Sequence, residues 1–120
     1  MKLAIVIPTY NEGKTLPSLI ERLVEQVKHI VDEFNIVIVD DSSPDGTADI
    51  ARNLANRIRE IIVIQRPSKL GLGAAYKNGF SYVLEKLGSE LIIEMDADHS
   101  HDPREIPNMI KNLPNKSPNF

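Results

Sequence analysis

Four short apolar runs alternate along this chain with stretches whose apolar residues recur at helical spacing. That alternation is what most limits the fold. The runs are Leu3–Ile7, Ile36–Val39, Ile61–Ile64 and the one that starts at Leu91 and stops at Asp96 and Asp98. Short, β-branched and bounded by polar residues, they read as strands buried on both faces of a parallel sheet. Between the first two, Leu16, Leu19, Ile20, Leu23, Val24, Val27, Ile30, Val31 and Phe34 form one long helical stripe, with Glu21, Arg22, Glu25, Gln26 and Lys28 outward. A second helix carries Ile50, Ala51, Leu54, Ala55 and Ile58. A third buries Ala75, Tyr76, Gly79, Phe80, Val83, Leu84 and Leu87. A fourth turns Ile106, Met109, Ile110 and Leu113 inward. The punctuation agrees: Pro8 ends the first strand, Thr15 caps the first helix with Pro17 in its first turn, and Asp45 or Thr47 caps the second. Gly88-Ser89 closes the third helix, and Asp102-Pro103 opens the fourth as cap and first position.

Four strand–helix units joined by right-handed crossovers require a mainly parallel sheet, with all strand-to-helix loops on one edge. Those loops are polar or glycine-rich, whereas the helix-to-strand returns are short. A ligand therefore belongs at the carboxyl ends of the strands. With 120 residues the chain is one domain, read here as residues 1–113 followed by a polar tail at 114–120. Fourteen basic residues against 17 acidic ones give a net charge of −3, and no basic run exists, which argues against nucleic acid. The absence of cysteine excludes disulfides and thiolate metal sites. No apolar stretch approaches the roughly 20 residues of a membrane span, and the short apolar start, stopped by Pro8, Asn11 and Glu12, reads as a strand; the expected compartment is the cytoplasm.

The chemistry collects in the loops. Asp96 and Asp98 sit one residue apart at a strand end. Two carboxylates about 4 Å apart repel by about 4 kcal/mol at an effective dielectric near 20. A hard divalent cation, Mg²⁺ or Mn²⁺, cancels that repulsion; a solvated turn is the plain alternative. Asp40 and Asp41 are neighbours, so one reaches a ligand and the other bonds backbone amides. Such a carboxylate suits an N–H-bearing heterocycle, above all guanine. Tyr10 offers a ring to flank a base, and Glu12 a further carboxylate. Arg66 and Lys69, beside Gly71 and Gly73, offer contacts to phosphate. Gly71-Leu72-Gly73-Ala74-Ala75-Tyr76 half matches a dinucleotide fingerprint, but Tyr76 holds the third glycine's place and the segment follows the third strand. His99 and His101 next to hard carboxylates, without cysteine, make a poor zinc set. His29 is a surface residue, and no serine sits in a nucleophile elbow.

Taken together, Ile7-Pro8-Thr9-Tyr10-Asn11-Glu12, Val39-Asp40-Asp41-Ser42-Ser43-Pro44-Asp45-Gly46-Thr47, Lys69-Leu70-Gly71-Leu72-Gly73-Ala74-Ala75-Tyr76 and Met95-Asp96-Ala97-Asp98-His99-Ser100-His101-Asp102-Pro103 resemble the amino-terminal half of family 2 glycosyltransferases. The match is best to the dolichol-phosphate (polyprenol-phosphate) mannosyltransferases. The resemblance implies a GT-A, Rossmann-like α/β fold of four strands and four helices, truncated relative to the full catalytic domain. It implies that Pro8, Tyr10, Glu12, Val39 and Asp41 surround the nucleoside of a nucleotide-sugar donor. Asp96 and Ala97 line the ribose and diphosphate, and Asp98 holds Mg²⁺ or Mn²⁺. Ser100 stands where some relatives carry a metal-contacting Gln. On this reading Asp96 and Asp98 are the catalytic pair. The implied reaction moves mannose from GDP-mannose to a dolichyl or polyprenyl phosphate with inversion, peripheral to the cytoplasmic face of a membrane.

Family catalytic domains run to roughly twice this length, so the expectation is a chain that supplies the donor and metal site and has little transferase activity alone. The uncovered edge of the fourth strand then favours self-association or a partner that supplies the other half. Three rivals stand beside this reading. A receiver module would carry its acidic pocket after the first strand, and a haloacid-dehalogenase-like phosphohydrolase would carry Asp-x-Asp there. The third is a non-catalytic nucleotide-binding or assembly protein on the same half fold.

Overall fold

The computed structural model describes residues 1–112. The elements run β1 (Lys2–Thr9), α1 (Leu16–Val27), β2 (Glu33–Asp40), α2 (Thr47–Arg57), β3 (Ile61–Gln65), α3 (Leu72–Tyr82), a π-helical turn (Val83–Leu87), β4 (Leu91–Glu94) and α4 (Glu105–Lys111). The strands form one parallel sheet in the order β3-β2-β1-β4. The expected α/β architecture of four parallel strands and four helices is present. β3 and β4 are the outer strands, so each presents a far edge that further pairing could use.

Alternation along β1 and β2 divides the core by size. Leu3, Ile5, Ile7, Ile36 and Ile38 face α1, α2 and α4, in a cluster with Leu16, Leu19, Leu23, Leu54 and Ile106. Ala4, Val6, Val37 and Val39 face α3 with Ala75 and Val83. The α3 face takes smaller side chains because α3 lies closer: a Cβ on Gly79 would stand 2.4 Å from Val6 Cγ1. Each fully buried Leu or Ile contributes about 1.5–3 kcal/mol, so the two faces supply most of the stabilising burial.

Several expected boundaries move. Pro8 does not end β1; it pairs with Val39 inside the strand. Val6 and Pro8 share a parity, and the Val6 carbonyl accepts from Met95 on the β4 side. β4 pairs β1 only as far as Val6, so the missing Pro8 N–H faces a side where the ladder has already stopped. α1 ends at Val27, not at Phe34. The chain turns there because Glu33 must pair with Lys2, and the Asp32 and Glu33 amides donate to the Met1 carbonyl; strand register overrides the helical period.

Thr15 is the α1 N-cap residue but makes no capping bond, and the α2 cap falls on Gly46, with Asp45 accepting from the Thr47 amide. Asp102 stands before its helix: α4 is capped at Arg104, whose amide donates to Asp102. Leu84 and Met109 are exposed rather than buried, at 71% and 49%. Gly88 closes the π turn in the left-handed region, as expected of a helix end. Leu113 and the tail at 114–120 lie outside the described residues.

Candidate functional site

The buried polar and charged side chains among the described residues are Thr9, Asp40, Asp41, Thr47 and Arg66. All lie at or just beyond the carboxyl ends of β1, β2 and β3, on the edge where the strand-to-helix loops gather. The same edge holds the three non-glycine residues with positive φ among the described residues: Asn11 at 55°, Ser42 at 53° and His99 at 64°. They follow β1, β2 and β4. Such backbone persists only where surroundings over-determine it, and here they do. The Asn11 amide donates to Ser43 Oγ, the Ser42 hydroxyl to the Arg66 carbonyl, and the Arg22 guanidinium stands 3.3 Å from His99 Nδ1.

Asp40 is the inner member of the acidic pair. It accepts from the Thr9 hydroxyl at 2.7 Å, the Ser43 amide at 3.0 Å and the Ser43 hydroxyl at 2.6 Å. This is the amide-bonding role expected of one neighbour. Asp41, the one expected to meet a ligand, is engaged too. Arg66 grips it through Nε at 2.5 Å and Nη2 at 2.8 Å, and the Leu70 amide donates at 3.2 Å. Burial alone would raise the Asp41 carboxyl; the Arg66 guanidinium and the Leu70 amide outweigh it and hold the group below its ordinary value. Arg66 also donates to the Gly71 carbonyl at 3.0 Å. Expected as a phosphate contact, Arg66 is instead 5% exposed and bound to Asp41, tying the 66–71 segment to the end of β2.

Beside that pair a cleft of about 120 Å³ is lined by Pro8, Thr9, Tyr10, Glu12, Asp41, Lys69, Gly71, Leu72 and Ala75. Lys69 Nζ stands 4.4 Å from the centre of the Tyr10 ring, a cation–π contact on the mouth of the cleft. Glu12 accepts from the Tyr10 amide at 3.1 Å, and its own amide donates to the Thr47 hydroxyl at 3.1 Å. Burial raises the Glu12 carboxyl, and the charges of Asp98, Asp96 and Asp45 raise it further against the lowering by the Tyr10 amide. Val39, expected at this nucleoside end, is fully buried in the α3-side core and does not line the cleft.

Next to Glu12 lies the segment after β4. Asp96 is half-buried; its Oδ1 accepts from the Tyr76 hydroxyl at 2.8 Å, and its amide donates to His101 Nδ1 at 3.2 Å. Ala97 is buried, and its carbonyl accepts from the Thr15 hydroxyl at 2.9 Å. Asp98 is exposed, and its Oδ1 accepts from the Ser100 amide at 2.9 Å. The Ser100 hydroxyl and amide hold the Asp98 carboxyl below its usual value. Ser100 is thus turned onto Asp98. Arg22 on α1, expected merely to face out, reaches Asp102 Oδ1 at 3.2 Å as well as His99.

The fit of this segment to a divalent cation rests on its donor set. Among the described residues no three His, Cys, Asp or Glu side chains are gathered to hold an ion. Yet Glu12, Asp96 and Asp98 are close enough for the last two to raise the first. Hard oxygens in an incomplete shell fit Mg²⁺ or Mn²⁺, which are commonly held by one or two carboxylates together with phosphate and water.

A more voluminous cleft, about 650 Å³, lies at the opposite end of the sheet among Lys28, Asp32, Phe34, Asn35, Arg59 and Glu60. Its cations are paired, Lys28 with Glu25 at 2.8 Å and Arg59 with Glu60 at 3.8 Å. None of the candidate residues lines it, so chemistry rather than volume selects the carboxyl edge. That edge includes three contributors that sequence patterns did not single out for a site: Thr15, Arg22 and Tyr76. Only Tyr76 carried a signal, as the residue that breaks a glycine fingerprint.

The undecaprenyl-phosphate mannosyltransferase of Micrococcus luteus is 41% identical over 111 residues, 92% of this chain and 44% of the relative. The polyprenol monophosphomannose synthase of Mycolicibacterium smegmatis is 43% identical over 107 residues, 88% of this chain and 38% of the relative. The chain therefore spans less than half the length of these curated relatives. Among solved structures, a mannosyltransferase from Pyrobaculum calidifontis in complex with GDP-Man and Mn²⁺ superposes with a TM-score of 0.77 at 23% identity, covering 91% of this chain and 31% of that one. S. aureus TarS in complex with UDP gives 0.72 at 26% identity, over 92% of this chain and 31% of that one. The fold is the GT-A fold of these transferases, and the chain covers about a third of each of those two solved chains (31%). The sequence pattern of the family described as "Glycosyl transferase family 2" matches residues 4–118, and the chain belongs to that family.

Proposed function

We propose that this chain supplies the nucleotide-sugar and metal site of a glycosyltransferase that moves mannose from GDP-mannose to a polyprenyl or dolichyl phosphate. The observation that carries the reading is the junction of two features on one rim. The Tyr10–Glu12–Asp41–Lys69 cleft adjoins the Asp96–Ala97–Asp98 segment, the Thr15 hydroxyl reaching both the Glu12 carbonyl at 3.2 Å and the Ala97 carbonyl at 2.9 Å. Tyr10 offers a ring face to a base, and Asp41 a carboxylate edge already oriented by Arg66. Asp96 and the Ala97 backbone take the ribose and diphosphate.

Asp98 is the protein group that would hold Mg²⁺ or Mn²⁺, with Ser100 fixing its carboxylate. Such an ion, when bound, neutralises the diphosphate and the charge that develops as GDP departs. Lys69, which has no salt bridge among the described residues, is the side chain placed to meet the same charge; Arg66 is taken by Asp41. The acceptor phosphate is already anionic, so inversion needs no strong protein base, and electrostatic stabilisation of the leaving group is the main term. No helix among the described residues is long and apolar enough to cross a membrane, and this reading places the chain at the cytoplasmic face.

Thermal unfolding with GDP, UDP and their mannose and glucose derivatives, in Mn²⁺ and in EDTA, tests the proposal. A nucleotide at 100 times its dissociation constant adds about 2.7 kcal/mol, a rise of several degrees for a domain of this size. GDP compounds should rank first, and Asp98→Ala should remove the Mn²⁺-dependent part of the shift while leaving the unfolding midpoint without ligand unchanged. No shift with any nucleotide would defeat the proposal.

Because the chain spans 44% and 38% of its curated relatives, a second reading shares the same site: a nucleotide-binding or assembly protein without transfer of its own. Mannosyl transfer from GDP-mannose to a polyprenyl phosphate, assayed with the purified chain, separates the two.

A further inference from the structure

We propose that Tyr76 is a positioning residue for Asp96, holding one carboxylate oxygen so that the other is presented to the nucleotide; this rests on the donor-site reading above. Tyr76 lies near the start of α3, and its ring packs on the sheet with the cluster of Ala4, Val6, Val37, Val39, Ala75 and Val83. A ring fixed in a core fixes the place of its hydroxyl, and that hydroxyl donates to Asp96 Oδ1 at 2.8 Å. A hydroxyl carried half into a core is costly without a partner, so the ring and the bond hold each other. On its other side Asp96 is pinned through its own amide to His101 Nδ1. Asp96 Oδ2 makes no hydrogen bond among the described residues and is not a buried orphan.

The result is a carboxylate clamped at Oδ1 and open at Oδ2. Among the described residues no other hydrogen bond or salt bridge holds the Asp96 carboxylate there. The charges around Asp96 are of its own sign: Asp96 and Asp98 both act on Glu12, and Glu94, Asp96 and Asp98 all act on Tyr76. An untethered Asp96 side chain would swing toward water, away from them. The bond is also charge-assisted, hence stronger and more directional than one between neutral groups. It explains the misfit in Gly71-Leu72-Gly73-Ala74-Ala75-Tyr76. Where a dinucleotide fingerprint keeps a glycine for close packing of helix on strand, this chain places an aromatic lever. The close approach is moved to Gly79, whose Cβ position meets Val6.

The test is a binding cycle on the full 120-residue chain, with GDP titrated calorimetrically in the presence of Mn²⁺. Wild type, Tyr76→Phe, Asp96→Ala and the double variant are compared, each checked by circular dichroism. Tyr76→Phe keeps the ring and should keep the fold, while weakening GDP about tenfold or more, the range for losing one hydrogen bond to a charged group. In the Asp96→Ala background the same substitution should change nothing, which a general loosening of α3 would not reproduce. Should Tyr76→Phe fail to fold, Tyr76→Leu, which keeps apolar bulk and carries no donor, takes its place in the cycle. Equal GDP binding by Tyr76→Phe and wild type, or an equal loss in both backgrounds, overturns the inference alone. Failure of wild type to bind GDP overturns the donor-site reading and the inference with it.

Discussion

Arg66 and Asp41 withdraw each other from water, and neither is tolerable there alone. Removing one partner of a buried pair leaves an uncompensated charge and costs about 3–5 kcal/mol, whereas replacing both with apolar residues can be close to neutral. Arg66→Met should therefore lose about that much in urea unfolding, and Arg66→Met with Asp41→Leu should regain most of it. The sign of the pH effect follows from the depressed Asp41 carboxyl. Its contribution is whole above its ordinary value of 3.8 and fades as pH falls through the lower folded value. Acid unfolding should be shallower in the double variant than in wild type.

Glu12 runs the other way. Its folded carboxyl is raised by burial and by Asp98 and Asp96, so its contribution is whole below the unfolded value and lost as pH rises through the folded one. Glu12→Gln keeps an acceptor for the Tyr10 amide, and should raise the unfolding midpoint of the ligand-free chain at pH 7, by less than about 1 kcal/mol in stability. It should leave the midpoint unchanged in acid. Asp40, Asp41, Asp96 and Asp98 were legible in sequence because carboxylates at strand ends need a reason. Arg66 was legible as a charge, but its partner was not, because a contact across 25 residues leaves no trace in spacing.

Elements were read well where period and burial agree, and poorly where pairing or an irregular turn intervenes. Ile30, Val31 and Phe34 continue the α1 stripe in sequence, yet Phe34 is in β2 opposite Leu3. The five-residue π turn after α3 slips the helical phase, and Leu84, in step with Phe80 on an ideal helix, emerges into solvent. Pro8 reads as a terminator because a proline interrupts a ladder; it is tolerated only because β4 stops early, which no local signal announces. The α3–sheet contact gives the element-scale prediction. Gly79→Ala sets a methyl 2.4 Å from Val6 Cγ1 and should cost about 1–3 kcal/mol by overpacking. Val6→Ala in the same chain makes room and should recover part of that loss, as read by denaturant midpoints.

At the scale of the molecule, the alternation of runs and stripes was enough to set the parallel sheet and the functional edge, and the joint motifs were enough for the family. Which strand lies in the middle was not legible, since the runs differ little in composition. The structure puts β1 and β2 inside: β1 is paired over its whole length with β2 on one side and from Leu3 to Val6 with β4 on the other, and β2 pairs β3 along its outer side. Amide hydrogen exchange should follow this: slowest in β1 and the paired part of β2, faster in β4 and α4, which have fewer partners. Equal protection across all four strands would contradict it.

The central place of β1 has a consequence for biosynthesis. The strand made first has one neighbour only when Asp40 has been added, and lacks the other until Leu91–Glu94 follow. At ribosomal speeds of about 5–20 residues per second, that leaves a nascent apolar ribbon half-zipped for seconds. Slowing translation between those two points should lengthen the interval in which a holdase chaperone can seize it.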